Sequence, residues 1–400
     1  MLRFTFDRYL FELPDILSLL LYLVVAFFMA ERLSKHGVYY FRLFLLLSIL
    51  HLAITIYYWY ASIFTLADAT FYYGTIYSTK ASWLSNLKQG IYTVFFFLYP
   101  LVKYLNLSYL GCYLIFSLIG LTGYYYIISA IFYLANKYNL VIKRSHFYLL
   151  LLPGLHYWNV AIGKDSLIFF FIVMLMNGII RRRFFFIILG VVGIGFIRSH
   201  ILLLFLLGYI IGNLVINKRI TIVQKGIGIL FSFGVLVFFL PLVLERISLG
   251  STQLDSIQEF IGYRLDRNQG RATSVDMSNA NMITKIVSYL FRPLFFDADN
   301  ILTLLSSIEN CVWIYMVVSI VKNIKFKLVE IQSSGVYSTL FFSFLVPVIA
   351  SSYLLSNLGI AVRQKTMFFP LIIVMLFLSY DAKIRRSIQI KYPLLGNSLA

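Results

Sequence analysis

Long apolar runs, interrupted by short polar breaks, cover almost the whole chain. The runs are continuous and do not alternate with a period of two, so helices are expected and the strands of a β-barrel are not. A helix needs about 20 apolar residues to cross a bilayer core of roughly 30 Å. On that scale the pattern predicts eleven spans: 13–31, 42–62, 108–135, 146–160, 166–180, 184–197, 199–216, 222–244, 301–321, 334–357 and 366–381. The aromatic run 91–105 is too short to cross and return. It is expected as a re-entrant or interfacial helix, with a second such helix around 81–87. The segment 245–300 is the one large polar stretch. Inside it, "MITKIVSYLF" spaces its apolar residues as a helix does, with Lys285 on the opposite side, a pattern suited to a helix lying on a membrane. The expected fold is therefore all-α: a polytopic transmembrane helical bundle forming one integral membrane domain over 1–400, with extracytoplasmic loops at 63–107 and 245–300.

Composition agrees. Hydrophobic residues make up 60% and charged residues 12% of the 400, and the mean hydropathy is +0.86. A soluble domain carries about 25% charged residues. No small-residue cleavage site follows 13–30, so that run is expected to be a retained span. Cys112 and Cys311 both sit in apolar runs, which argues against a disulfide framework.

The net charge of +18 would point to nucleic acid in a soluble protein. Here its distribution points to orientation. One side of the eleven-span path receives Arg32/Lys35/Arg42, Lys137/Lys143/Arg144, Arg181–Arg183, Lys218/Arg219/Lys225, Lys322/Lys325/Lys327 and Lys383/Arg385/Arg386/Lys391. That is 19 basic residues against three acids, while the other side carries the remaining 15 basic and 13 acidic residues. By the positive-inside rule the first side is cytoplasmic. The N-terminus then lies outside and the C-terminus inside, and no nucleic-acid partner is implied. A crossing by 91–105 would move every later loop to the other side and destroy the pattern.

The same path gathers the remaining polar residues on the outer face. Asp68, in "TLADATFYYGT", opens the loop 63–107. A lone acid beside a membrane is costly unless solvated, paired or used. It either caps the helix that follows or serves as an acid–base group. Lys164 and Asp165, in "HYWNVAIGKDSL", stand at the outer start of span 166–180. Asp165 suits a helix N-terminus. Lys164 does not, unless an anion shares the site, because the helix dipole and the free N–H groups attract negative charge. A plain local ion pair is the alternative. Arg198 and His200, in "FIRSHI", fall between two short spans, as snorkelling anchors or as phosphate donors. Arg363 and Lys365, in "VRQK", occupy the corresponding place on the last hairpin. In "RPLFFDADN", Arg292 precedes Asp297 and Asp299. The Asp-x-Asp spacing can hold a divalent metal, but it recurs by chance, and no metal site is assigned. There is no P-loop, no G-x-G-x-x-G, no H-E-x-x-H and no paired C-x-x-C, so no cofactor is implied.

External cations near the membrane rim, external carboxylates and many aromatics suit a lipid-linked phosphate carrying a polar head. "HYWNVAIGKDSL", "YLFRPLFFDADNILTLLSSIEN" and "NLGIAVRQKTMFFPLIIV" also resemble bacterial exopolysaccharide, capsule and O-antigen polymerases (Wzy-type) and related integral-membrane glycosyltransferases, over about 60–375. The order of span, external loop opening with an acid, interfacial helices and next span resembles the GT-C fold. The resemblance implies a bacterial inner-membrane enzyme that polymerises or transfers polyprenyl-(pyro)phosphate-linked sugars on the extracytoplasmic face. Its partners would be the polyprenyl-linked sugar or oligosaccharide, membrane lipid and other polysaccharide-assembly membrane proteins. Asp68 would be the catalytic acid, although it lacks the second acid that many GT-C enzymes carry. Polymerisation needs two carrier sites, which Lys164/Arg198/His200 and Arg292/Arg363/Lys365 could supply. A GT-C enzyme adding one sugar needs only one. A lipid-linked oligosaccharide flippase is the reading from another class, but no inverted repeat or paired broken helices support it.

Overall fold

A computed structural model describes residues 13–65, 67–215, 221–247, 274–277, 280–327 and 335–391. Among these the fold is helical throughout, apart from an isolated antiparallel bridge between Ser274 and Asn357. The helices are α1 (Leu13–Ser34), α2 (Val38–Phe64), α3 (Asp68–Ser78), α4 (Ile91–Lys103), α5 (Tyr109–Tyr138), α6 (Pro153–Asn159), α7 (Lys164–Arg181), α8 (Phe184–Tyr209), α9 (Ile222–Ile247), α10 (Met282–Phe291), α11 (Ile301–Lys327), α12 (Val336–Tyr353) and α13 (Leu358–Lys391). The 3₁₀ turns Leu84–Asn86, Arg144–Leu151 and Phe295–Asp297 link them, and α8 runs on into a π-helical segment, Ile210–Val215.

Seven of the described helices are long and apolar enough to cross a membrane: α1, α2, α5, α8, α11, α12 and the first part of α13. The pair α6–α7, bent by 106°, would make an eighth. The protein is a multi-pass membrane protein, with fewer candidate spans than the eleven expected. Of the three expected spans in excess of eight, one is 222–244, which falls in α9, where the described apolar stretch is the shorter Ile222–Gly234; the other two have local causes. The segment 146–160 is not one helix, because a 3₁₀ turn ends at Leu151 and Pro153, which lacks an N–H, can only restart a helix at its first turn. The segments 184–197 and 199–216 are two helical stretches that meet directly at a kink, where Arg198 is non-helical (φ −147°, ψ 74°), with no longer loop between them. Around 81–87 there is only the short 3₁₀ turn, not a helix. The short helix expected at 91–105 is α4, and "MITKIVSYLF" is α10. Half of the 245–300 loop, residues 248–273 and 278–279, lies outside the described residues.

The chain divides into two compact units. Residues up to Ala130 together with Phe147–Arg198 form the first, and Ile131–His146 together with the residues from Ser199 onward form the second. The first is built around α7, buried along nearly its whole length as a helix apolar on every face should be. Outside it, α1 and α2 expose Leu17, Phe28, Ile49 and Tyr57, an apolar surface suited to lipid. Asp15, fully buried at the start of α1, accepts from the Ser108 hydroxyl at 2.6 and 2.7 Å. Ser108 Oγ in turn accepts from the N–H groups of Leu110 and Gly111 at the α5 N-terminus. The second unit is built around α13, whose membrane-length part is mostly buried. Against α12, the Gly208 and Gly212 turns approach so closely that a Cβ would stand 2.4 Å from the carbonyl oxygens of Phe342 and Ser338. This is the small-xxx-small contact by which membrane helices pack.

Candidate functional site

The α7–α8 hairpin decides where Asp165 and Arg198 go. Arg182 (φ 55°) ends α7 in the left-handed conformation, and both its N–H and that of Arg183 donate to Gly178 O. The turn is tight, so the two helices pair from there onward. Gly178 packs on Ile187, Gly190 on Leu175 and Gly193 on Phe171, each at distances only a glycine permits. That register brings Asp165, at the start of α7, to Arg198. Arg198 Nη2 donates to Asp165 Oδ1 at 2.9 Å, with side chains 15% and 8% exposed. Lys164 is the first residue of α7, half-buried, and follows the extended Gly163. Asp165 therefore pairs with a residue 33 positions away. The Asp165–Arg198 pair thus stands at the N-terminus of an 18-residue helix whose first residue is Lys164, and whose N–H groups and dipole also favour an anion.

Arg198 is not in a loop, as the pattern suggested, but at a break inside α8. The carbonyls just before the break are claimed from outside the helix. Gln89 Nε2 donates to Gly195 O at 3.0 Å, and Gly90 N and Thr93 Oγ1 donate to Phe196 O at 2.8 and 2.9 Å. Side chains entering the helical ladder are a known cause of kinks. The segment leading into α4 thus holds the bend that presents Arg198 to Asp165. His200, two residues on, is exposed and belongs to the second unit.

Asp68 is the first residue of α3 and exposed. Ala67 is the N-cap, so Asp68 is not the cap, though it lies in the first turn where the dipole favours a carboxylate. One turn along, Tyr72 packs against the break between α6 and α7: its Cε2 lies 3.7 Å from where a Cβ on Gly163 would stand. Residues i and i+4 share a helix face, so Asp68 is on the side of α3 that meets the residue before Lys164. Asp68, Lys164, Asp165 and Arg198 all belong to the first unit.

The cations of the second unit are differently employed. Arg292 donates through Nε to Asp297 Oδ2 at 3.0 Å and through Nη2 to Asp297 Oδ1, while Leu294 N donates to Oδ2 at 2.8 Å. Donation from the guanidinium holds the Asp297 carboxyl below its ordinary range, and the same bond raises Arg292 above its own. Asp299 turns elsewhere, accepting from Asn300 Nδ2 and Thr303 Oγ1 at the start of α11, so the Asp-x-Asp carboxylates do not converge. No group of three metal-ligating side chains gathers among the described residues. Lys365 was expected near the rim but is buried, 1% exposed. Its ammonium donates to Leu290 O at 3.2 Å and to Asn310 Oδ1, with Arg292 O at 3.5 Å. It closes the C-terminus of α10, where a cation meets the negative end of the dipole. Asn310, itself bonded to Pro293 O at 2.6 Å, completes that junction. Neither Asn310 nor the Gln89–Thr93 hook was singled out from the sequence. Arg363 is half-buried in the second turn of α13, whose N-cap Asn357 accepts from Ile360 N at 3.1 Å.

No known protein family, curated protein or solved structure matches this chain.

Proposed function

We propose that the protein is a bacterial inner-membrane glycosyltransferase that transfers sugar from a polyprenyl-phosphate-linked donor at the extracytoplasmic face, with its site in the first unit. The observation that carries this reading is the Asp165–Arg198 pair at the α7 N-terminus, directly after Lys164, with the helix of Asp68 packed beside it through Tyr72 and Gly163. An acceptor hydroxyl attacks the anomeric carbon as the bond from that carbon to the phosphate oxygen breaks. Asp68 takes the hydroxyl proton. The departing lipid phosphate keeps the electron pair and is stabilised by Lys164, Arg198 and the helix N–H groups. Asp165 orients Arg198.

Two forms of the reaction differ in the number of carriers held. A polymerase of surface polysaccharide binds two lipid-linked chains. Addition of a single sugar needs one phosphate site. In the second cluster Lys365 is buried against α10, donating to Leu290 O and Asn310 Oδ1, so it is not presented to a second carrier. That favours single-sugar transfer over polymerisation. The deciding experiment is purified protein in liposomes with a radiolabelled polyprenyl-phosphate sugar and a lipid-linked acceptor. One added sugar supports the reading, and longer chains support a polymerase. Sugar moved between leaflets with no covalent change would make the protein a transporter. Asp68→Asn should abolish transfer, and full activity in that variant removes it as the base.

A further inference from the structure

His51 of α2 and His156 of α6 are both completely buried. Their Nδ1 atoms face each other at 2.7 Å. Each ring's other nitrogen faces a backbone carbonyl: His51 Nε2 lies 3.0 Å from Ser117 O, and His156 Nε2 lies 2.8 Å from Leu150 O. A carbonyl oxygen only accepts, so both Nε2 atoms must carry hydrogen. A neutral imidazole has one ring proton. With both protons used on the carbonyls, two bare lone pairs would point at each other across a hydrogen-bond distance. The contact closes only if one Nδ1 also carries a proton.

We infer that the His51–His156 pair is a buried proton-binding site, in which two imidazoles share three ring protons and hold one positive charge between α2 and the short helix of the bent pair. The balance is simple. A neutral pair takes one proton from water, giving an imidazolium that donates Nδ1–H to its neighbour's lone pair. No covalent bond between heavy atoms changes, and no electron moves. A metal ion does not fit between the rings, because metal–nitrogen distances of about 2.0–2.1 Å would hold the nitrogens farther apart than they stand.

A buried cation is costly unless it is paired or hydrogen-bonded, and this one is well provided. Both outer N–H groups donate to carbonyls, and the charge is shared by two rings. The Tyr124 ring of α5 lies over His156, centroids 4.7 Å apart and planes 16° apart, and meets His51 edge-on at 5.6 Å. Its face attracts a cation. The other groups around the pair are neutral. Thr55 of α2 bonds the Ser117 hydroxyl, Tyr22 of α1 also reaches Ser117, Asn159 of α6 donates to Tyr124 Oη, and Phe169 of α7 packs on Tyr124. Tyr124 and Tyr22 are the titratable groups among these, and none is charged. Gly120 makes the approach possible, since a Cβ there would stand 2.3 Å from Asn159 O and 3.3 Å from His51 Nε2.

The inference is independent of the proposed sugar transfer and needs no variant to test. Ring-¹⁵N-histidine protein, full chain in lipid nanodiscs at neutral pH, is examined by NMR for nitrogen–nitrogen coupling across a hydrogen bond. That coupling appears only where two imidazoles share a proton, so it identifies the pair without assignment. We expect the coupling, with the donor ring showing both nitrogens protonated. A coupled pair whose donor ring is neutral would overturn the charge, and no coupling at all would overturn the site. His156→Gln should abolish the coupling. Its persistence in that variant would place the shared proton elsewhere.

Discussion

Asp165 and Arg198 make the sharpest case among single side chains. Removing one partner of a largely buried ion pair costs about 3–5 kcal/mol, because the other charge stays buried. Arg198→Ala should therefore lower thermal stability in detergent as well as abolish turnover. Arg198→Lys should recover stability better than activity, since an ammonium cannot reproduce the guanidinium fork. Exchanging the neighbours, Lys164→Asp with Asp165→Lys, would set a lysine against Arg198. It should give an inactive protein with a lowered melting temperature; a swap that melts like the parent would show that the 165–198 contact does not hold the hairpin. Asp297 offers a pH test. Its folded carboxyl lies below the usual range because Arg292 donates to it, so its contribution to stability is present above about pH 4, the unfolded carboxyl value. It is lost as pH falls through the depressed folded value. The melting-temperature gap between the parent and Asp297→Asn should thus be full at pH 6 and shrink in more acidic buffer. A gap that does not change with pH would mean that the carboxylate's charge is not what stabilises this turn.

Helices that touch through glycine are the next level at which the fold can be probed. A Cβ on Gly208 or Gly212 would press into backbone carbonyls of α12, which cannot swing aside as a side chain does. Ala at either position should cost about 1–3 kcal/mol. Gly226 and Gly234 of α9 meet nothing within 4 Å, so Ala there should be neutral or stabilise by up to about 1 kcal/mol. Melting all four variants side by side tests whether close packing, rather than helix propensity, decides. The helices themselves were largely legible: α1, α2, α5, α7, α11 and α12 each fall within a few residues of an apolar run, because length and composition alone set a membrane helix. The Asp165–Arg198 pair was not read from the sequence, where Asp165 was matched only with its neighbour Lys164, although the spacing carries it. Asp165 lies seventeen residues before Arg182 and Arg198 sixteen after it, so a tight turn at the arginines brings them level. The break at Arg198 was not legible. Its charge looked like a loop, whereas the bend is accompanied by donors from Gln89–Thr93, about a hundred positions away, which no local pattern records. Lys365 was misplaced for a similar reason. Its three acceptors come from α10, the turn after it and α11, so only the assembled unit shows that its charge is used internally.

How often the chain crosses the membrane turns on α8. Its span-length run of 29 residues would rise about 43 Å if straight, against a core of roughly 30 Å. A single straight crossing would also put Lys218, Arg219 and Lys225 on the side opposite Arg181–Arg183, against the positive-inside rule. Both arguments favour a chain that returns at Arg198, where the helix is already broken. On that path α7, 18 residues and about 27 Å long, carries Lys164 from the arginine turn almost to the far face. Single cysteines at Arg183, Lys225 and Lys383, each at least partly exposed, should then react with an impermeant maleimide only from the cytoplasmic side. Cysteines at Lys164 and Ser274 should react only from outside. Labelling of Lys225→Cys and Arg183→Cys from opposite sides would mean that α8 crosses once. A cytoplasmic Lys164→Cys would be graver for the proposed chemistry, since it would put the anion site on the wrong face for a sugar donor presented outside.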